Sequence, residues 1–440
     1  MKKIALSLAG VLAAAAFAPE ASAVPAFARQ TGMACSACHY QHFPLLNSFG
    51  RSFKSSGFTL MGAQGKIEGD NLSIPDVINM AVFTTTYFQT QSAGTTAGVG
   101  NAVAVDKWGV PGTGGEFSLF MGGRASDFAG FIAEAGLGGG GVANTGGIVG
   151  AGKFAFLFPV GDARVGLVIH SSNGQGVAYS FELLNTGAAN THKMMGNSGP
   201  SSQHVRAAYA SQYLGTNTAA TGISLVANNS MGFINVGAYE MAGNQAVGGA
   251  NSMGLTYIRA AGTMDIAGFD GGFGIQLFGG KSTVTNGSNV FGGAGVNNQP
   301  KATVVDFQLQ GDLAAMPVGF YASYGTAPAG TATETNVFNP MSPNGGAGTK
   351  SASSLNFAAE FGVIPHEMTA QVAIRMAKNG AARFDGDNAL MLGVSYELAQ
   401  NIGLSFVRTM QSGSAWNASN FANSEPVGKN ANTLLLEALF

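Results

Sequence analysis

The sequence predicts an all-β protein: a transmembrane antiparallel β-barrel of about 16 strands behind a small helical N-terminal segment. Three observations carry this prediction. Apolar and polar residues alternate from about Ser73 to the end of the chain. The connections between alternating runs are short and long by turns. Charged residues make up only 10% of the chain, against a usual share of about 25%, while the hydrophobic fraction is an ordinary 46%.

The alternation is the primary signal. Val305, Phe307 and Leu309 alternate with Asp306, Gln308 and Gln310. Val205, Ala207, Tyr209 and Tyr213 alternate with His204, Arg206 and Gln212, and Val372, Ile374 and Met376 with Gln371 and Arg375. Leu390, Leu392, Val394 and Tyr396 alternate with Ser395 and Glu397. One apolar face and one polar face suit a wall with lipid outside and a watery lumen inside. A soluble β-sandwich alternates too, but rarely needs so many strands at such low charge.

The connections agree. Short turns fall at about 126–128, 159–162, 311–314, 364–367 and 398–401. Long loops rich in Gly, Asn, Ser and Thr fall at about 91–115, 282–299, 326–351 and 411–430. Short periplasmic turns and long extracellular loops are the porin-like arrangement. The count is 16 strands, or 18 if "GVAYSFELL" within 172–202 is a strand. In the last segment, "NTLLLEALF", Leu434, Leu436, Ala438 and Phe440 share one face. An aromatic last residue on such a face resembles the terminal strand by which bacterial outer-membrane proteins are recognised for insertion.

The N-terminus fixes the compartment. Lys2 and Lys3 precede an apolar run from Ile4 to about Ala18, and Ala21-Ser22-Ala23 offers a cleavage site. Residues 1–23 therefore read as a secretory signal, cleaved before Val24. No later run approaches the ~20 apolar residues of a membrane helix. The formal charge is −2, and no basic run points to nucleic acid.

"MACSACHYQHFP" at 33–44 holds both cysteines of the chain. Cys35-Ser36-Ala37-Cys38-His39 fits C-x-x-C-H, the attachment site of c-type haem. Two thioethers must reach two vinyl groups on one porphyrin edge, and the next residue must turn its imidazole onto the iron. One helical turn does both, which makes His39 the proximal ligand. A redox dithiol would need a thioredoxin-like setting, which is missing. A zinc site would need more ligands than His39 and His42 supply. A disulfide would close a very small loop and restrain little.

The distal ligand is less defined. His42 follows His39 by three residues, so on a helix it shares the proximal side and reads as a surface or propionate-side residue. Met33 is also close to that side, and Met80 lies on a predicted strand. Met61, in "FTLMGAQG", follows a helix and a turn at Gly57, so the chain can fold back over the distal face. Met61 is therefore the candidate distal ligand. Pro44 opens a helical pattern in which Leu46, Phe49 and Phe53 form an apolar stripe. Arg51 and Lys54 fall on the polar side, where propionates would lie. Residues 24–70 are thus read as a monohaem cytochrome c segment and 71–440 as the barrel. Asp306, Arg375, Arg206 and Glu397 read as ordinary lumen polarity, or as groups that tune potential or ion passage. No catalytic triad, phosphate loop or carboxylate pair is apparent.

"FARQTGMACSACH" at 27–39, "FPLLNSFGRSFK" at 43–54 and "GFTLMG" at 57–62 resemble the head of the outer-membrane monohaem cytochrome–porin fusions, the Fe(II) oxidases of iron-oxidising bacteria. The resemblance is specific over residues 24–62 and rests on architecture beyond them. It implies a porin of about 16 strands with the cytochrome in or at its lumen, one haem c on Cys35 and Cys38, and His39 as the proximal ligand. It implies Fe(II) outside as electron donor, a periplasmic cytochrome or other electron carrier as acceptor, and outer-membrane lipid around the wall. Met61 is not settled by any family motif. Two other functions fit the same residues: an electron conduit for another donor or the opposite direction, and a haem-gated solute porin.

Overall fold

The computed structural model describes residues 26–62, 64–70, 72–95, 101–102, 105–137, 149–172, 175–187, 209–241, 253–282, 297–330, 334–339, 350–417 and 428–440. The leader predicted over 1–23 and the lumen residue Arg206 lie outside them.

Sixteen strands form a closed antiparallel barrel. In chain order they are β1 (Met80–Gln91), β2 (Phe117–Arg124), β3 (Ala129–Gly136), β4 (Val149–Val160), β5 (Ala163–Ser172) and β6 (Ala220–Asn229). Then come β7 (Gly232–Glu240), β8 (Leu255–Ile266), β9 (Phe269–Gly280), β10 (Ala302–Leu313) and β11 (Met316–Ala327). The last are β12 (Ala352–Ile364), β13 (Met368–Lys378), β14 (Asn388–Ala399), β15 (Ile402–Ser412) and β16 (Asn430–Leu439). Two extra strands, Val105–Pro111 and Gly114–Gly115, lie within the first long connection. The first of them pairs with the upper half of β1, while the lower half pairs with β2.

The terminal strand closes the ring. Leu434 pairs with Phe88 and Ala438 with Thr84, and the backbones of Phe440 and Val82 exchange two hydrogen bonds of 2.6 and 3.0 Å. Closure leaves no unpaired sheet edge in lipid, which is what allows strands to span a membrane. Strands of 12 residues rise about 40 Å along their length, enough to cross ~30 Å of hydrocarbon at a tilt. Both barrel ends and all the short turns share one side, the periplasmic side in this architecture.

Side chains sort as the alternation predicts. Val305, Ile374, Leu392, Leu434, Leu436 and Phe440 are exposed on the outer face. Asp306, Gln308 and Gln310 point inward and are buried. Their burial means that the lumen is filled at these levels. Gln276, Asn356, Glu360 and Arg259 are likewise fully shielded on the inner wall.

Among the described residues, two inward segments fill it at these levels. One is the long connection between β5 and β6, and here two expectations are corrected. "GVAYSFELL" is not a strand: Val177–Tyr179 is a 3₁₀ turn, so the count is 16 and not 18. The alternation read through Tyr209 and Tyr213 is not a strand either, because Ala210–Tyr213 is a one-turn helix. Tyr209, Ala210, Ser211 and Gln212 are all buried, so neither face meets lipid. This chain folds back into the lumen, where Glu182 and wall residue Asp306 both pair with Arg259.

The other filler is the N-terminal segment. It holds helices α1 (Ala26–Thr31), α2 (Cys35–Cys38) and α3 (Ser48–Ser55), and a hairpin of Lys66–Gly69 and Leu72–Pro75. The hairpin straddles residue 70, and the wall begins at Met80. Helix α3 starts later than Pro44 because Asn47 is its N-cap, its side chain accepting from Gly50 N at 2.9 Å. Gly57 ends it at φ +73°, a conformation that favours glycine.

Candidate functional site

Three phenylalanines give the N-terminal segment a core of its own. Phe27 stacks on Phe58 at 5.1 Å and meets Phe53 edge-on at 5.0 Å. Gln30 ties the same layers together, its Nε2 donating to Phe58 O and Leu60 O at 2.7 Å. The segment then leans on the wall. Gly57 packs against Ala155 and Leu157 of β4, and a side chain at Gly130 of β3 would collide with Gly57 O.

The C-x-x-C-H turn is built by backbone bonds to the stretch that follows it. His39 N donates to Cys35 O at 2.8 Å, closing the one-turn helix α2. Tyr40 N donates to Leu45 O and Asn47 N to Cys38 O, which folds 39–46 into a tight loop. At Gly50 helix α3 passes directly against Cys38 O, so close that a β-carbon would not fit.

His39 is held in a defined form. Its Nδ1 lies 3.0 Å from Leu45 O and must donate, since a carbonyl only accepts. In the neutral ring the lone pair then sits on Nε2, the arrangement that orients a metal-ligating imidazole. Phe43 packs edge-on against the ring at 5.1 Å.

Cys35 and Cys38 are free, half-buried thiols. Burial pushes the Cys35 thiol up, and the nearby Glu397 carboxylate adds to the shift. Burial also raises Cys38, with a smaller push from Cys35. Cys35 Sγ lies 2.9 Å from Asn401 Oδ1, in the turn between β14 and β15. The motif therefore faces the periplasmic mouth. Met33, Phe49 and Leu60 are exposed on the segment around it. One precedes the turn, one adjoins Gly50, and the third is tied to α1 through Gln30. The donor set and this apolar surround fit a haem: two thiols on one turn, an oriented imidazole, and greasy side chains for a flat apolar group to cover.

Met61 is half-buried, and its neighbour Gly62 donates to Gln30 O at 3.1 Å. The structure thus brings Met61 beside the corner that leads into the motif.

Two expectations about basic residues are corrected. His42 is not at the surface. It is buried, with Nε2 2.7 Å from Glu360 Oε1 of β12 and 3.0 Å from Gln371 Nε2 of β13. Arg51 is not on a free polar face: it is buried, and pairs with Asp270 of β9 and Gln310 of β10. Both failed for one reason, that the polar side of the segment faces an inner wall lined with partners. Tyr40 OH similarly lies 2.7 Å from both Gly311 O and Val318 O, which flank the turn between β10 and β11 and share the one hydroxyl proton. Of the lumen charges, Asp306 belongs to the Arg259 cluster, Arg375 pairs with Asp387 at 2.7 Å, and Glu397 lies near Cys35.

Sequence reasoning missed the clasp above the motif. Leu46 N donates to Asn185 Oδ1 at 2.8 Å, and Asn185 Nδ2 donates to Leu46 O at 2.9 Å. The two inward segments thus hold each other, although 139 positions separate the partners.

No family model matches the chain, and no curated protein does. Solved structures do resemble it. Pseudomonas putida OprB superposes with a TM-score of 0.51 at 10% identity, over 82% of this chain and 94% of that one. The anion-selective porin from Comamonas acidovorans gives 0.47 at 14% identity, over 83% and 99%. The outer-membrane channel DcaP of Acinetobacter baumannii gives 0.45 at 10%, over 82% and 97%. The first likeness carries the fold; identities this low carry nothing about activity. Closed topology, apolar outer face and porin architecture define a multi-pass β-barrel of the bacterial outer membrane. Its own N-terminal segment fills the periplasmic end.

Proposed function

We propose that the protein is an outer-membrane Fe(II) oxidase. It takes one electron from extracellular ferrous iron and passes it across the membrane to a periplasmic electron carrier. The observation that supports this best is the Cys35–His39 turn at the periplasmic end of a barrel with a filled lumen. The resemblance of residues 24–62 to the monohaem cytochrome–porin fusions supports the same reading.

A haem c held by Cys35 and Cys38, with His39 on its iron, would supply a one-electron site there. The chain's own residues do the rest. Leu45 O orients His39, and the His42–Glu360 and Arg51–Asp270 contacts fix the segment in the wall. Proximity to the mouth favours handing electrons to a soluble partner in the periplasm. Leaving Fe(III) outside keeps insoluble oxide out of the cell. The buried inner wall favours this conduit over passage of solutes.

The test is sided electron transfer. The haem-loaded protein is reconstituted in liposomes that enclose an oxidised soluble cytochrome, and Fe(II) is added outside. The reading expects the enclosed cytochrome to be reduced, and His39→Ala to stop it. An enclosed cytochrome that stays oxidised with Fe(II) contradicts the reading.

A further inference from the structure

The site poses a distance problem. Cys35 touches a periplasmic turn, yet the donor is outside, and strands of about 40 Å separate the two ends. Electrons must cross a lumen packed with side chains. One line of residues crosses it.

The line starts in the long connection after β15, on the side opposite the short turns. Trp416 is buried there, and its indole Nε1 donates to Asp387 Oδ1 at 2.8 Å. Asp387 Oδ2 accepts from Tyr213 OH at 3.1 Å. Tyr213 stands one helical turn from Tyr209, joined by Tyr213 N donating to Tyr209 O at 2.9 Å. Tyr209 shares a buried cluster with Tyr321 of β11 and with Leu45, and Tyr40 packs against that cluster. Tyr40 is the residue next to His39.

The chain has only 2 Trp and 10 Tyr in 440 residues. One of the two Trp and four of the ten Tyr lie on this line, which makes random scatter a poor account of it. A second aromatic cluster, with Tyr239, Tyr257 and Phe278, meets the line at Tyr213 but includes no residue of the N-terminal segment, so it leads nowhere near His39.

We infer that Trp416, Asp387, Tyr213, Tyr209, Tyr321 and Tyr40 form the electron path between the extracellular side and the site at His39. The inference rests on reading the Cys35–His39 turn as a haem site. Close-packed π systems and hydrogen bonds couple donor to acceptor better than gaps do. One electron would leave Fe(II), giving Fe(III) outside, and one would reach the haem that Cys35, Cys38 and His39 would hold. Each bridging side chain returns to its starting state, Asp387 remaining the carboxylate that pairs with Arg375, and no net proton is transferred.

The test uses the full-length, haem-loaded protein with Lys350→Cys as its free thiol, labelled with a ruthenium photo-oxidant. Lys350 is exposed, and its N donates to Gly380 O in the loop that leads to Asp387. After a flash and quench, haem oxidation is timed by absorbance. A transient tryptophanyl or tyrosyl radical is sought in the same traces. The path predicts at least tenfold slower transfer in Tyr209→Leu and Tyr213→Leu, and near-normal transfer in Tyr209→Phe and Tyr257→Leu. It predicts loss of the radical signal in Trp416→Leu. Equal rates in wild type and the Leu variants, each with normal dithionite reduction, would overturn the path and leave the haem reading standing. A wild-type chain that never takes up haem would overturn both.

Discussion

His42 of the N-terminal segment and Glu360 of the barrel wall, 318 positions apart, meet at 2.7 Å with both side chains buried. Gln371 donates to the same Oε1 at 2.8 Å. This contact fastens the C-x-x-C-H loop to β12 and β13, three residues beyond His39. Removing the acceptor of such a buried hydrogen bond costs about 1–3 kcal/mol, because its donor is left shielded from water.

Glu360→Leu is therefore expected to loosen the segment without opening the barrel. Proteolysis from the periplasmic side should cut within residues 26–62 much faster than in wild type. The heat-dependent gel mobility of the folded barrel should not change. Equal cleavage of both proteins would mean that the contact fastens nothing.

Gly50 lies where helix α3 crosses Cys38 O. Gly50→Ala should push the helix off the turn and misplace Cys38 and His39. The expected result is a protein that still assembles in the outer membrane but carries a small fraction of the wild-type haem, measured as haem absorbance per chain. Full loading would show that this close approach is dispensable.

The thiols give a pH prediction. Burial raises both Cys35 and Cys38, so less thiolate is present at a given pH than in a free cysteine. In the haem-free protein, alkylation should be slow near neutrality and keep climbing at pH values where a model thiol has levelled off. Glu397→Gln should shift the Cys35 profile towards lower pH, since it removes a negative neighbour. A profile matching free cysteine would contradict the burial of the turn.

A filled lumen should not conduct like an empty one. In planar bilayers the haem-loaded protein is expected to give no steps of the size that an open 16-strand barrel gives. Large stable steps with haem bound would favour the solute-porin function.

Much of this was legible in the sequence because it is local. Period-two alternation around Asp306 and Arg375 is written in adjacent residues, as is the C-x-x-C-H turn. The same locality explains the errors. "GVAYSFELL" and the stretch around Tyr209 carry apolar residues at strand-like spacing, but they face other lumen residues on all sides. Nothing local distinguishes a segment that turns inward from one that spans. His42 with Glu360, Arg51 with Asp270 and Leu46 with Asn185 are pairs made by closure of the ring. A single sequence holds no signal for them. Asn47, three residues before Gly50 and just before a helical pattern, did offer a capping signal that would have placed the start of α3 at Ser48.

The most direct measurement is stopped-flow absorbance of the purified, oxidised, haem-loaded protein mixed anaerobically with Fe(II) near neutral pH. The account predicts prompt appearance of the reduced c-type α-band, abolished by His39→Ala. A band that stays oxidised with Fe(II) yet appears with dithionite would contradict iron oxidation while leaving the haem in place.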